Sequence, residues 1–394
     1  MEQTRNPSHT SRRRTPFQRN RRHQAELLAR LLVGVVAVFL VLGLVLPDKD
    51  FSESENRSLA RFPKVTLLSL TDGSFLTDLG DYVADQFPGR DLWMSLNLTM
   101  NKTLGQKEAS GVYLCEDDYL MQIPAEPNQI QLDRNLQAIN QFAEAYPQMN
   151  MVMCVAPNAV TVLAEKLPEN APVRDQRADL AYIQSALTGV DFIDITSTLR
   201  EHRWEYLFYK TDHHWTSLAA GYAFQEIAPK MNISAPALDT YTVYTVSNTF
   251  EGTLSSKSGS HGALDTVDIY VPDTDIAYYV EYPQGEPISS MYYRTALEQK
   301  DHYTVFFGGN YSRVDITTSA NTGRNLLLFK DSYANCLVQF LYPYFDHITM
   351  VDPRYFYDNL ELIIKSESIT DALFLYNADT FLGDTSLADV LDIE

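Results

Sequence analysis

The residues best suited to chemistry begin with a short run at 211–216, which reads Thr-Asp-His-His-Trp-Thr. It brings a carboxylate, two imidazoles and an indole together in four consecutive residues, just before a predicted helix. In an extended or turn segment, side chains two positions apart project to the same side, so Asp212 and His214 can reach one site while His213 points elsewhere. A histidine base needs such a carboxylate, because the carboxylate fixes one tautomer and stabilises the imidazolium after proton transfer.

A second run, Lys-Asp-Ser-Tyr-Ala-Asn at 330–335, supplies a hydroxyl group. Ser332 lies between a predicted strand at 325–329 and a predicted helix at 333–342. A serine at such a turn is raised clear of the sheet, where backbone N–H groups and the helix dipole stabilise a developing oxyanion. Serine at its free pKa is a poor nucleophile and needs an adjacent base, for which His214 is the candidate.

Each run also has a simpler interpretation. Ser332 alone fits a helix N-cap, and His213 and His214 alone fit buried, hydrogen-bonded histidines. A metal site built from Asp212, His213 and His214 is the alternative chemistry, but no further ligand set with a recognisable spacing accompanies it. Two such runs at strand ends of one predicted sheet favour nucleophilic catalysis, and the sequence predicts neither a metal site nor a cofactor.

The elements that must position these residues alternate between short apolar strands and amphipathic helices. The predicted strands lie at 149–156, 191–195, 325–329, 348–351 and 372–376, and the predicted helices at 129–145, 177–188, 216–228, 333–342 and 359–366. This alternation predicts an α/β fold with a mostly parallel sheet and helices on both faces. In such sheets the active residues lie at the carboxyl ends of the strands.

Residues 232–320 differ in composition from the segments on either side. β-Branched and aromatic runs are separated there by Gly, Pro and Ser clusters, and they predict strands at 241–246, 268–271, 276–280 and 303–307. This stretch is interpreted as a β-rich insertion. Residues 48–108 are turn-rich and predict loops around short helices at 75–86 and 91–104.

Size, composition and charge limit the class of protein. The 394 residues exceed what one compact core usually holds, and 45% hydrophobic residues exclude a mostly disordered chain. The net charge of −20 argues against a nucleic-acid partner, whose phosphates are bound by Lys and Arg. Residues 1–30 nevertheless hold eight Arg and two acidic residues, so the rest of the chain carries −26. A basic tail on an acidic body indicates two different environments.

The N-terminal segment is typical of a membrane anchor. Residues 31–46 form an unbroken run of 16 apolar or Gly residues, and extension toward residue 27 gives a helix long enough to span a bilayer. All the Arg of the tail precede this run, which predicts a cytoplasmic N-terminus and an extracytoplasmic body. A cleaved signal peptide is the alternative, but the run ends in Val-Leu-Pro-Asp and lacks a small-x-small cleavage signature.

The three cysteines, Cys115, Cys154 and Cys336, are scattered and odd in number. They show neither a disulfide framework nor a zinc spacing, so at most one bridge can form. We interpret them as small buried hydrophobic residues.

Several runs together resemble the DHHW protein family, which is similar to the SGNH-hydrolase-like proteins that O-acetylate alginate and other exported polysaccharides. The Asp-His-His-Trp and Asp-Ser-Tyr runs are the most specific part of a resemblance that covers most of residues 51–380. The other matching runs are Phe-Ser-Glu-Ser-Glu-Asn-Arg at 51–57, Asp-Gln-Phe-Pro-Gly-Arg-Asp at 85–91, Gly-Val-Tyr-Leu at 111–114, Phe-Glu-Gly-Thr-Leu at 250–254 and Asp-Pro-Arg-Tyr at 352–355.

The resemblance implies a catalytic triad of Asp212, His214 and Ser332, in the permuted chain order of the alginate-modifying proteins. It also implies a function: a membrane-anchored, extracytoplasmic serine-dependent O-acetyltransferase acting on a cell-envelope or exported polysaccharide. A membrane-bound O-acyltransferase would supply the acetyl group. An acetyl-ester hydrolase with the same triad and a non-catalytic envelope scaffold or binding protein are the alternatives.

The oxyanion donors cannot be assigned from the sequence, because the SGNH Gly and Asn blocks are not identifiable in it. Asn335, Arg354 and Tyr376 are candidates from their strand-end positions alone. No carbohydrate-binding module is recognisable after residue 380. The expected organisation is a basic cytoplasmic tail at 1–30, a transmembrane anchor at 27–47, a helical and loop segment at 48–128, and an SGNH-like domain at 129–394 with its insertion at about 232–320.

Overall fold

A computed structural model describes residues 16–52, 57–283 and 285–392 of the chain. They form two compact units, one up to Ser52 and from Arg57 to Leu96, the other from Asn97 to the C-terminus. The first half of the predicted basic tail lies outside the described residues.

The first unit is built on one long helix. The helices and strands that begin in it are α1 (Pro16–Val45), β1 (Phe51–Ser52), β2 (Arg57–Ser58), α2 (Leu67–Thr71), α3 (Ser74–Asp85) and α4 (Arg90–Thr103). Within α1, Gln24–Gly43 is long and apolar enough to cross a membrane, and none of it is buried in the protein. The structure confirms the short helices predicted at 75–86 and 91–104 as α3 and α4.

The second unit contains a seven-stranded sheet with the order β10-β11-β13-β12-β14-β6-β7. Its strands are β6 (Asn150–Ala156), β7 (Asp191–Ile193), β10 (Tyr278–Glu281), β11 (Arg313–Thr318), β12 (Asn325–Lys330), β13 (His347–Val351) and β14 (Asp371–Asn377). Five strands, from β13 to β7, are parallel, and β11 and β10 extend the sheet in antiparallel pairing. The mostly parallel α/β sheet predicted from the sequence is confirmed.

The helices cover both faces of this sheet, as predicted. They are α5 (Gln129–Ala145), α6 (Ala159–Val162), α7 (Gln176–Ala186), α8 (Thr196–Glu201), α9 (Ser217–Lys230), α10 (Thr253–Ser258), α11 (Val338–Leu341), α12 (Leu360–Ser366), α13 (Ala378–Gly383) and α14 (Leu387–Leu391). Side chains of β6 alternate between two cores: Cys154 packs with α9 on one face, and Met153 packs with α5 on the other. Central strands read as continuous apolar runs because both of their faces are buried.

The remaining strands lie outside the main sheet. β3 (Glu108–Ala109), β4 (Val112–Leu114) and β5 (Leu120–Gln122) form a small antiparallel sheet, and β8 (Thr242–Phe250) pairs with β9 (Asp265–Val271) in a hairpin. The stretch at 232–320 therefore contributes both a separate hairpin and two strands, β10 and β11, at the edge of the main sheet. The strand β11 was not predicted from the sequence.

Two predicted elements are wrong. Residues 303–307 are not a strand: His302–Val305 is a 3-10 turn and Phe307 has a positive φ of 65°. The segment is rich in aromatic residues because Tyr303 and Phe306 are buried in the core, and not because its backbone is extended. The predicted helix at 333–342 is a broken series of short turns, Ser332–Cys336, Val338–Leu341 and Tyr342–Tyr344, and Pro343 lies in the last of them.

All three cysteines are free thiols. Cys154 and Cys336 are fully buried and Cys115 is half-buried, which agrees with their interpretation as small hydrophobic residues.

Candidate active site

The structure brings Asp212, His214 and Ser332 into one hydrogen-bonded chain. His214 Nδ1 lies 2.6 Å from Asp212 Oδ1, and His214 Nε2 lies 2.8 Å from Ser332 Oγ. Asp212 and His214 are buried, whereas Ser332 is half-buried and reaches solvent. A hydroxyl group, an imidazole and a carboxylate in this order have the geometry of an activated serine nucleophile.

The Asp212 carboxylate is saturated with hydrogen-bond donors. Its Oδ1 also accepts the backbone N–H of His214 at 3.0 Å, and its Oδ2 accepts the N–H and hydroxyl of Thr253 at 2.8 and 2.7 Å. Burial alone would raise the pKa of Asp212, but the adjacent imidazoles of His213 and His214 and these hydrogen bonds hold the pKa well below its usual range. The carboxylate is therefore ionised and acts only as an acceptor.

The hairpin of the insertion fixes the loop that carries Asp212 and His214. Asp265 of β9 accepts the backbone N–H groups of Lys210 and Thr211 at 2.7 and 2.8 Å. The Thr211 hydroxyl in turn accepts the N–H of Gly252 at 2.8 Å, which brings the 250–254 loop against the carboxylate. The insertion thus supplies part of the site's scaffold.

The turn that carries Ser332 is fixed at the carboxyl end of the sheet. Asp331 accepts the N–H of Tyr333 through one oxygen and the N–H of Asn377, at the end of β14, through the other, both at 2.9 Å. The structure does not support the helix dipole predicted behind Ser332, because Ser332–Cys336 is only a five-residue 3-10 turn. The backbone of a single short turn has little dipole to offer an oxyanion.

Two further contacts join the motif loops directly. Trp215, which is fully buried, donates its indole N–H to the carbonyl oxygen of Tyr333 at 2.9 Å. The Tyr333 hydroxyl donates to the carbonyl oxygen of His213. The Trp of one run and the Tyr of the other therefore hold the two loops in register, which explains why both residue types accompany the reactive groups.

Aromatic rings enclose the imidazole base. The Tyr303 ring stacks on His214 with the centroids 3.8 Å apart and the planes 14° apart, and the Tyr303 hydroxyl donates to the Ser332 carbonyl oxygen at 2.8 Å. His213 lies beside His214 with a centroid separation of 3.9 Å. Burial and the neighbouring His214 lower the pKa of His213 to about 4, so this imidazole is neutral at ordinary pH.

The three oxyanion candidates lie near the strand ends but make no hydrogen bond to the triad within the described residues. Asn335 accepts from Lys330 Nζ at 2.9 Å and donates to Asn310 at 3.3 Å. Arg354 forms a bidentate pair with buried Asp352, at 2.6 and 2.8 Å. Tyr376 is buried and its hydroxyl has no partner among the described residues. Their oxyanion role stays a prediction.

The residues of the alternative metal site, Asp212, His213 and His214, lie close together. One ligand atom from each of Asp212, His213 and His214 lies within 4.8 Å of the others. In the structure these atoms bond to one another or to protein hydroxyls: His214 Nδ1 to Asp212, and His213 Nδ1 to Thr253 Oγ1 at 2.8 Å. This arrangement fits imidazoles oriented for proton transfer and offers a cation no convergent set of free donor atoms.

Sequence reasoning missed four residues of the site. Gly252 and Thr253 contact the Asp212 carboxylate, Tyr303 covers His214, and Lys330 is buried behind Asn335. The Phe-Glu-Gly-Thr-Leu run at 250–254 was a usable signal for the first two, since it belongs to the family resemblance. The position of Tyr303 depends on long-range packing and has no local signal.

The comparisons with known proteins agree with this architecture. Residues 116–269 match the family model of the SGNH hydrolase-like domain of acetyltransferase AlgX, a range that contains Asp212 and His214 but not Ser332. No curated protein matches the chain in sequence.

Solved structures extend the likeness beyond that segment. A DHHW family protein from Eubacterium siraeum is 26% identical, with 72% of this chain and 95% of that chain covered and a TM-score of 0.63. Bacillus cereus PatB1, solved with a sulfonyl adduct, is 22% identical and shares the fold, with 70% and 97% covered and a TM-score of 0.58. The chain therefore resembles the DHHW family and the SGNH-hydrolase-like acetyltransferases, as its motifs predict.

Proposed function

We propose that this protein is a serine-dependent O-acyltransferase that transfers an acetyl group to hydroxyl groups of a cell-envelope or exported polysaccharide. The single observation that carries the proposal is the hydrogen-bonded chain from Asp212 through His214 to Ser332 Oγ, with distances of 2.6 and 2.8 Å. The match to the AlgX acetyltransferase domain supports acetyl as the group transferred.

The reaction follows from the protonation states of the three groups. His214 Nε2 accepts the Ser332 proton as Oγ attacks the acyl carbon, and Asp212 stabilises the imidazolium that forms. The imidazolium then protonates the leaving group, which departs from the tetrahedral intermediate and leaves an acetyl ester on Ser332. In the second half, the hydroxyl group of the acceptor attacks that ester while His214 takes its proton and returns it to Ser332 Oγ.

A cleft in the second unit has features suited to a glycan. Its volume is about 640 Å³, and Arg354, Tyr357 and Asp358 contribute to its lining. Tyr357 is 92% exposed and offers an aromatic face on which a sugar ring can pack, while the charged groups offer hydrogen-bond partners for hydroxyls. The charge of Arg354, in the lining of this cleft, contributes to the lowered pKa of the His213 imidazole.

The proposed location is the outer face of the cell membrane, with a single spanning helix at Gln24–Gly43 and the N-terminus in the cytoplasm. The Arg residues that precede this helix support that orientation. An acetyl group made inside the cell must then cross the membrane, so we propose a membrane-bound O-acyltransferase as donor, in keeping with the family resemblance.

The test is mass spectrometry of the full-length chain in detergent after incubation with p-nitrophenyl acetate. We expect one acetyl adduct on the peptide that contains Ser332, and none in Ser332→Ala. Ser185→Ala is the matched control, because Ser185 is an exposed helix serine outside the site. A sulfonyl fluoride is a second probe, chosen because PatB1 was solved with a sulfonyl adduct.

The outcomes separate the proposal from its alternatives. Equal labelling of Ser332→Ala and the unsubstituted chain would reject Ser332 as the nucleophile and favour a binding or scaffold role. Labelling of Ser332 followed by release to water at the same rate with and without added sugar would favour an acetyl-ester hydrolase.

A further inference from the structure

The proposed mechanism gives no role to the His213 side chain. The contacts of this imidazole nevertheless determine its tautomer. The Thr253 hydroxyl has a single proton, which it donates to the ionised Asp212 at 2.7 Å. Thr253 Oγ1 must therefore accept in its other contact, the 2.8 Å bond to His213 Nδ1. His213 Nδ1 carries the proton, and Nε2 carries a free lone pair.

This lone pair is available to a ligand. His213 Nε2 has no hydrogen-bond partner in the described part of the chain, and the side chain is 37% exposed. The imidazole is also kept neutral, because partial burial and the neighbouring His214, with smaller effects of Lys257 and Arg354, lower its pKa to about 4 against the opposing charge of Asp212. An exposed, neutral nitrogen of this kind accepts a hydrogen bond from a hydroxyl group.

The two histidines are arranged as a pair. Each ring turns its Nδ1 toward the Asp212 carboxylate, at 2.6 Å for His214 and 3.6 Å for His213. The ring centroids are 3.9 Å apart with an angle of 37° between the planes. His214 Nε2 lies 2.8 Å from Ser332 Oγ. From the pairing of the rings we infer that His213 Nε2 faces the same side, away from the carboxylate.

We propose, on the basis of the proposed function, that His213 is a positioning residue for an acceptor with two hydroxyl groups on adjacent carbon atoms. One hydroxyl donates to His214 Nε2 and reacts, while its neighbour donates to His213 Nε2 and holds the acceptor in place. The small separation of the rings suits hydroxyls on neighbouring carbons. Such a vicinal diol is the repeating feature of a saccharide.

The transfer step balances without any further reactant. The reacting oxygen forms a bond to the acyl carbon, the bond from that carbon to Ser332 Oγ breaks, and the proton passes through His214 to Ser332 Oγ. The second hydroxyl keeps its proton throughout and only donates a hydrogen bond to His213. Water can replace the reacting hydroxyl but cannot use both imidazoles in this way, so His213 favours transfer over hydrolysis.

The experiment measures how readily the acetyl group on Ser332 is transferred to each of two alcohols. The full-length chain in detergent is supplied with p-nitrophenyl acetate and either ethane-1,2-diol or 2-methoxyethanol, and the acetylated products are quantified. The second alcohol has the same two oxygens, but one of them cannot donate. We expect the diol to be favoured by about tenfold, the effect of one hydrogen bond in a site of this kind.

Two substitutions separate positioning of the acceptor from support of the triad. His213→Asn keeps an N–H near the place of Nδ1 for Thr253 but has no acceptor at Nε2, so the preference for the diol should disappear. The ratio of the two products is set after Ser332 has been acetylated, so a change in labelling rate does not affect this measurement. His213→Gln places an amide oxygen near Nε2, so it should keep most of the preference and lose labelling rate instead.

The opposite pattern would overturn the inference. If His213→Asn retains the preference for the diol while His213→Gln loses it, His213 merely supports Thr253 and Asp212. An unsubstituted chain that labels Ser332 but does not distinguish the two alcohols would also reject the role of His213 and leave the proposed function intact. Failure to label Ser332 at all would contradict the proposed function itself.

Discussion

The backbone of Gly252 passes directly against the side chain of Asp212. A β-carbon added at residue 252 would overlap Asp212 Cβ and lie 2.6 Å from Oδ2 and 2.8 Å from Cγ. The φ of Gly252 is −88°, a value open to any residue, so the glycine is required by space and not by backbone conformation. The carboxylate that orients His214 is thus held between an imidazole and a neighbouring main chain.

This contact predicts a severe effect of Gly252→Ala. The added methyl group must displace the carboxylate or the 250–254 loop, and a misplacement of about 1 Å in such a site lowers rates by about 100-fold. We expect a loss of that size in the rate of Ser332 acetylation, with a destabilisation of about 1–3 kcal/mol from overpacking. Stopped-flow release of p-nitrophenol gives the rate.

Gly383→Ala is the matched control for this substitution. Gly383 is exposed at the end of α13, has open space around its α-carbon and does not adopt a positive φ. Its acetylation rate should equal that of the unsubstituted chain. A normal rate in Gly252→Ala as well would show that Asp212 tolerates a shift and does not orient His214.

The hydroxyl of Thr253 donates to Asp212 and accepts from His213. We therefore expect substitutions of Thr253 to slow acetylation according to whether they keep this hydroxyl. Thr253→Val keeps the shape and removes the hydroxyl, so an ionised carboxylate loses a hydrogen bond worth about 1.5–3 kcal/mol. We expect acetylation of Ser332 to slow by about 10- to 100-fold. Thr253→Ser retains the hydroxyl and should recover most of the rate. Equal rates for both variants would contradict the prediction.

Part of the arrangement of Asp212, His214 and Ser332 could be predicted from the sequence by two local rules. The spacing of Asp212 and His214 places them on one side of an extended turn, and the apolar run before Ser332 identifies a strand end. The expectation that His213 points elsewhere is wrong, because its ring lies beside that of His214 with the centroids 3.9 Å apart. Ser332 follows β12 and lies at the carboxyl edge of the sheet, as predicted. The run that carries Asp212 and His214 was also expected at a strand end, which is wrong, because α8 separates it from β7. The central strands were predicted to within about two residues, because their continuous apolar runs are bounded by turn residues.

The supporting residues could not be predicted in this way. Tyr303 lies in a run whose composition is typical of a strand, yet its backbone turns so that the ring can cover His214. The segment after Ser332 was predicted as a helix, but its side chains are buried on almost every side, so packing and not helical periodicity determines its backbone. Contacts between distant segments decide both cases.

Tyr303 should contribute to stability through its hydroxyl and to the acetylation rate through its ring. Tyr303→Phe keeps the ring on His214 but leaves the Ser332 carbonyl without its 2.8 Å hydrogen bond, which should cost about 1–3 kcal/mol of unfolding free energy. Tyr303→Leu also removes the aromatic face that stabilises the imidazolium, so its acetylation rate should fall about a further tenfold below that of Tyr303→Phe. Thermal unfolding and acetylation rates measure the two effects.

Tyr209→Phe is the control for the hydroxyl of Tyr303. Tyr209 is equally buried, but its hydroxyl has no partner among the described residues. Removal of an unpaired hydroxyl leaves no group unsatisfied, so stability should be unchanged or slightly higher. A similar loss of stability in both variants would show that the hydrogen bond from Tyr303 to the Ser332 carbonyl does not account for the loss.

Lys330, two residues before Ser332, is only 2% exposed, so its ionisation should make stability depend on pH. Burial lowers its pKa from 10.5 to about 8, although Asp352 at 3.8 Å opposes the shift. Between these two pH values the unfolded chain binds more protons than the folded chain, so the stability due to this group rises with pH. Below about pH 8 the lysine is protonated in both states, and the cost of burying its charge is fully present.

The stability of the unsubstituted chain relative to Lys330→Met should therefore increase by about 3 kcal/mol as the pH rises from about 8 to about 10.5. Denaturant titrations followed by the fluorescence of buried Trp215 measure this difference. Lys365→Met is the control, because Glu361 raises the pKa of exposed Lys365 and gives no such gain over this range. A flat difference for Lys330→Met would mean that the buried ammonium keeps its proton, held by Asn335 and Asp352.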